Sequence, residues 1–219
     1  IDQSEGHVKK SSLEALTYGA DVAKQLGTTA EAIVLGTVSE DLAALGKYGV
    51  SKIHQVSNAA LNNVDAQVYA SVISESATAC GASVIVFSHN QTGKAVAARV
   101  AAKLKAGLVA GACALPDTSN GFSVKKTVFS GKAYAHVNIL SAVKVISLNP
   151  NSYKTVATEG TAAVEALAVT VNEPKVKITA VNKITGEVPL TEADIVVSGG
   201  RGLKGPEHWG ILLDLAKEL

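Results

Sequence analysis

The sequence predicts an α/β fold organised on a parallel sheet, and three observations carry that prediction. Short, uninterrupted apolar runs occur at residues 32–35 and 84–87, with a further strand-like segment bounded by Ile53 and Val56. Between them lie segments whose apolar residues recur every three or four positions, and glycines or polar residues separate the two kinds of segment. Strands of near-continuous Val, Ile and Leu are buried on both faces, which requires helices on both sides and right-handed crossovers. From Gly107 the pattern changes to successive strands, so an antiparallel layer is expected beside the parallel sheet.

Taken in order, Ser11-Ser-Leu-Glu14 has the form of a capping box, and Leu13, Leu16, Ala20 and Ala23 then continue at helical spacing until Gly27. A buried strand follows at 32–35, a short helix at 39–45, a strand at 53–56, a helix at 65–79 and the strand at 84–87. The first strand of the sheet is expected ahead of Ile1, and a start without methionine is expected to lie inside a longer gene product. The loop Ser88-His-Asn-Gln-Thr-Gly-Lys94 leads into a helix carrying Val96, Val100 and Leu104, with Thr92 as its expected cap. Ala133, Ala135, Val137 and Ile139 alternate with Tyr134, His136 and Asn138, which predicts a two-sided strand flanked by strands at 122–129 and 142–148. Residues 149–160 read as a loop, 164–171 and 176–181 as two further strands, and 186–190 as a connector. The domain boundary is placed between 189 and 190, where a polar Pro/Gly stretch separates a completed set of elements from a new strand.

Composition narrows the function classes. Lys+Arg of 20 against Asp+Glu of 19 leaves a formal charge of +1, so there is no electrostatic footprint for nucleic acid or an anionic membrane. No apolar run reaches the length of a spanning helix, and no signal peptide is visible. Cys80 and Cys113 form no metal-spaced pair with each other or with the five histidines. Each lies among Ala and Gly, as core-filling thiols in a reducing compartment do.

The most informative stretch is Ile195-Val-Val-Ser-Gly-Gly-Arg-Gly-Leu-Lys204, followed by Gly-Pro-Glu-His-Trp and an apolar run to Leu219. Residues 195–197 are expected to form a buried strand, and Pro206 to open a helix with Ile211, Leu212 and Leu215 on one side. A strand, a glycine turn and a helix N-terminus together make an anion site. The alternative is a plain tight turn between strand and helix. Gly200-Arg-Gly-Leu-Lys-Gly205 has glycines at one, three and six, yet the acidic residue that confirms a dinucleotide fingerprint is absent, and the phosphate-loop spacing is not met. Arg201 is one of only two arginines, with Arg99, and its fork suits bidentate anion recognition.

The segment 193–204 resembles the opening of the flavin-binding domain in the alpha subunit of electron transfer flavoproteins. Gly93-Lys-Ala-Val-Ala-Ala-Arg-Val-Ala-Ala-Lys-Leu104 is similar to a helix of the amino-terminal domain of those subunits. The resemblance implies an amino-terminal domain, residues 1–189, with a fold like adenine nucleotide α-hydrolases, then at 190–219 the first strand and helix of a Rossmann-like FAD domain. It implies an electron carrier rather than an enzyme, paired with a beta subunit and taking electrons from dehydrogenases, acyl-CoA dehydrogenases of fatty acid β-oxidation among them. Arg201 matches a position that contacts FAD, with Ser198, Gly199, Gly200, Gly202 and Lys204 shaping the same loop. Later flavin segments of the family have no counterpart here, so FAD is expected in the complete alpha–beta heterodimer and not on these residues alone. The implied compartment is the bacterial cytoplasm or the mitochondrial matrix. Two other classes stay open: a nucleotide-using enzyme with its chemistry at Ser88 to Lys94, and an interaction scaffold without cofactor.

Overall fold

The structure is a computed structural model that describes residues 1–4, 6–180, 190, 193 and 195–219. It divides into two compact units, Ile1–Lys177 and Ile178–Leu219. The expected boundary at 189–190, the connector at 186–190 and the end of the strand expected at 176–181 fall wholly or partly outside the described residues.

The first unit opens with a two-residue antiparallel pair, β1 (Gln3–Ser4) and β2 (His7–Val8), and helix α1 (Lys10–Gln25). Next come β3 (Glu31–Leu35), a 3-10 segment (Leu42–Tyr48), β4 (Lys52–Val56), α2 (Ala66–Ala79), β5 (Val84–Ser88) and α3 (Gln91–Leu104). Strands β6 (Gly107–Ala112), β7 (Ser123–Val128), β8 (Ala133–Asn138), β9 (Lys144–Leu148) and β10 (Ala163–Ala166) complete the unit. One sheet has the order β10-β4-β3, all parallel; the other has the order β5-β9-β6-β7-β8. Within the latter, β5, β9 and β6 are parallel, and β7 and β8 form the expected antiparallel hairpin attached to β6.

Periodicity explains which face each helix covers. Ala32 and Val34 of β3 pack with Leu16 of α1 and with Leu42 and Leu45. Their alternates Ile33 and Leu35 face Val68, Val72, Val96 and Val100 of α2 and α3. On the second sheet Val109, Ile146 and Leu148 meet Tyr18 and Val22 of α1. Helix α1 therefore covers one face and the α2–α3 pair the other, as strands apolar on both sides require. Between β3 and β5 lies a cavity of about 320 Å³; among the described residues β3 pairs only with β4 and β5 only with β9.

Four local expectations are corrected. The capping box does not form: α1 starts at Lys10, ahead of Ser11, and Lys9 precedes it with no side-chain cap, while Ser11 Oγ accepts from Asn90 Nδ2 at 3.4 Å and Glu14 Oε2 accepts the Asn151 N–H. Tertiary partners have taken both side chains. Helix α3 is capped by Asn90, whose Oδ1 accepts from Gly93 N–H at 2.8 Å, and not by Thr92. The strand at 142–148 does not border the hairpin but sits between β5 and β6, since Val145, Ile146, Ser147 and Leu148 are buried on both faces. Of the strands expected at 164–171 and 176–181, only Ala163–Ala166 pairs, on the free edge of β4, and 176–180 are not a strand.

Candidate functional site

The glycine-rich stretch lies in the second unit. Residues 195–197 are not a strand, and Ile195 and Val196 are exposed. A parallel strand needs a neighbour for its N–H and C=O groups, and no other strand is found among the described residues of this unit. Arg201–Leu203 forms a single 3-10 turn after Gly200, Pro206–His208 forms another, and α4 (Gly210–Glu218) starts four residues later than expected. Pro206 does open a helical turn, but Leu212 and Leu213 N–H bond back to the Trp209 carbonyl and begin the longer helix there.

The glycines serve different purposes. A Cβ on Gly199 would collide with Leu203 and lie 2.7 Å from Leu212 Cδ1, so its bareness serves packing of the loop on α4. A Cβ on Gly200 or Gly202 would meet nothing within 4 Å. Both are exposed on open ground where a ligand can approach the backbone. None of the three has positive φ; Lys204 takes the left-handed conformation instead, at φ 63°. Arg201, Ser198 and Lys204 are exposed, and the Leu203 and Lys204 N–H groups are occupied by the Gly200 and Arg201 carbonyls. The structure thus gathers the expected residues into one loop with the arginine fork free to face solvent.

The loop after β5 is differently made. Ser88 Oγ donates to the Ser11 carbonyl, and Asn90 Nδ2 donates to Asp2 Oδ2 at 2.8 Å. A Cβ on Gly93 would overlap the Ser88 carbonyl oxygen. His89 Nδ1 meets Ser147 Oγ at 2.8 Å, and burial, helped by Lys94 and Lys126, holds its imidazole below the ordinary value. The Gly93 and Lys94 N–H groups are both taken by Asn90, through its Oδ1 and its carbonyl. His89 is a half-buried structural residue and not a solvated one.

A third constellation escaped the spacing rules. Glu31 at the start of β3, His54 in β4 and Cys80 just past α2 converge, with one ligand atom of each lying within 4.8 Å of the others. His54 Nε2 and Glu31 Oε2 are 2.6 Å apart. In β4, Lys52, His54 and Val56 share the face towards α2, and α2 ends where Cys80 reaches that face. Intervals of 23 and 26 residues hide this grouping, which only the β3–β4 register, Ile33 beside His54, brings about.

A parallel-sheet unit with an attached antiparallel hairpin, followed along the chain by an exposed Gly-Gly-Arg-Gly loop and a helix, defines a mixed α/β protein. Comparison sharpens this. Residues 1–173 match the electron transfer flavoprotein domain. The chain is 29% identical over 220 residues to the electron transfer flavoprotein subunit alpha of Syntrophomonas wolfei, covering 99% of this chain and 68% of that protein. It is 25% identical to the corresponding subunit of Bacillus subtilis, covering 98% and 67%. It is 28% identical to a probable mitochondrial alpha subunit of Cryptococcus neoformans, covering 98% and 62%. The chain belongs to the electron transfer flavoprotein family, with its similarity to alpha subunits. That family consists of electron carriers, not catalysts. Among the described residues no helix is long and apolar enough to cross a membrane.

Proposed function

We propose that this chain is the amino-terminal part of an electron transfer flavoprotein alpha subunit, with residues 1–189 packing on a beta subunit and 190–219 opening the FAD domain. The observation that carries the site is the exposed Arg201 between Gly200 and Gly202, where added Cβ atoms would meet nothing. The Arg201 guanidinium binds an anionic oxygen of FAD with paired N–H donors and keeps its charge at every working pH. Gly200 and Gly202 let the backbone approach the cofactor, and Ser198, Gly199 and Lys204 shape the turn. When bound, the flavin supplies the electron storage; this chain's residues hold and orient it. The donors are dehydrogenases, with acyl-CoA dehydrogenases the fitting class, and the compartment is the bacterial cytoplasm or the mitochondrial matrix.

In the complete heterodimer, Arg201→Ala should weaken FAD binding roughly ten- to a hundredfold, since a charge-assisted hydrogen bond contributes about 1.5 to 3 kcal/mol. Arg201→Lys should restore part of the charge but not the fork. Titration of apoprotein with FAD, read by flavin fluorescence, decides the matter, and unchanged affinity in Arg201→Ala removes the assignment. Residues 1–219 alone should lose FAD on desalting. Retention needs a dissociation constant near nanomolar, about −12 kcal/mol, which one arginine and a few backbone N–H groups do not reach.

A further inference from the structure

We propose that Glu31, His54 and Cys80 form a zinc-type site at the amino end of the β3–β4 pair, independent of the flavin loop. The donor set is an imidazole nitrogen, a thiolate sulfur and a carboxylate oxygen, the three ligand types that zinc takes in tetrahedral sites. Bonds of 2.0 to 2.3 Å place tetrahedral ligand atoms about 3.3 to 3.8 Å apart. Here the three atoms lie within 4.8 Å of one another, and the His54–Glu31 pair is at 2.6 Å. Less than about 1 Å of opening on one side and about 1 Å of closing on another therefore reaches that geometry. Glu31 supplies the movement because its side chain is 36% exposed, while His54 is held at 9%.

The charges fit a divalent cation. A carboxylate and a thiolate neutralise two positive charges, and the imidazole binds as the neutral ring. Three atoms able to bind a cation converge there, and the one hydrogen bond seen among them joins His54 Nε2 and Glu31 Oε2. The neighbouring cation, Lys52, is turned to Glu165 at 3.1 Å and records no bond to Glu31. Three ligands leave a fourth position for water, and the partial exposure of Glu31 and Cys80 gives an ion its entry path. Bound there, the ion would tie β3, β4 and the end of α2 together.

The test uses the whole chain with cobalt(II) as a spectroscopic substitute for zinc. A 1:1 titration should produce a thiolate-to-cobalt charge-transfer band that added zinc displaces. Cys80→Ser should abolish the band and Cys113→Ser should leave it. Zinc should also slow modification of Cys80 by a thiol reagent at least tenfold, reversed by a chelator. His54→Gln should lose the zinc-induced rise in melting midpoint. A wild-type chain with no cobalt band, or a band that survives Cys80→Ser, overturns the proposal; neither result touches the Arg201 assignment, which is read by FAD alone.

Discussion

Burial sets the behaviour of single titrating residues, and Glu14 is the clearest case. Its carboxylate is buried in α1 and accepts the Asn151 N–H at 2.8 Å. Burial is the leading influence and holds the carboxyl above its ordinary value of 4.5, while the Asn151 N–H and Lys10 pull less strongly the other way. A carboxyl raised in the folded state binds its proton more tightly when folded than when unfolded. The stabilisation it gives is complete below the unfolded value and fades as pH rises through the folded one. Glu14→Gln keeps an acceptor for Asn151 and does not titrate. Denaturant titrations of both proteins should therefore show the wild type losing ground to the variant from about pH 4.5 upwards. A constant difference across that range would mean that the Asn151 bond and Lys10 cancel the effect of burial, and a gain of the wild type with pH would mean that they outweigh it. The sequence reading gave Glu14 to a capping box because Ser11-x-x-Glu14 has the right local spacing. What it could not see was Asn151, 137 residues away.

At the scale of elements, two glycines make opposite predictions. Gly93 sits in the first turn of α3, and a Cβ there would overlap the Ser88 carbonyl where β5 ends. Gly93→Ala must push the helix off the strand, an overpacking that costs about 1 to 3 kcal/mol. Gly19, inside α1, meets nothing within 4 Å, so Gly19→Ala should stabilise by about 0.5 to 1 kcal/mol through helix propensity. Urea midpoints moving in opposite directions with an unchanged slope would confirm both; equal shifts would refute the close approach at Ser88. Elements of this first unit were legible where a period repeats within one element: α1, α2, α3, β3, β4, β5 and the β7–β8 hairpin lie within a few residues of expectation. Strand β9 was found but misplaced, because its apolar run names a buried strand without naming its neighbours. Residues 195–197 have the same composition and no partner among the described residues, so the same local signal yields no strand. The Arg201 loop was legible from contiguous residues, whereas Glu31, His54 and Cys80 needed three elements in register.

For the first unit as a whole, the cavity between β3 and β5 sets the limit on stability. Its walls are apolar on both faces, with Leu16 and Val22 from α1 on one side and Tyr69, Ile73 and Val96 from α2 and α3 on the other. Its two edges are strands that pair only outward among the described residues. Backbone groups along such edges are costly when they lack both water and a partner. The Ile1 nitrogen lies in this cavity and donates to the Ile33 carbonyl at 2.8 Å. Asp2 next accepts from Asn90 Nδ2, just past the end of β5. Residues added ahead of Ile1 would enter between the facing edges. Adding about five apolar β-branched residues there, the usual strand length, should pair both edges. The melting midpoint should rise by more than about 4 °C, the effect of 1 to 2 kcal/mol in a chain of this size. A segment of equal length that alternates apolar and charged residues should give no such rise, because both faces of the cavity are apolar. Equal midpoints for the two extensions would show that added residues stay outside the cavity and that β3 and β5 do not share a strand.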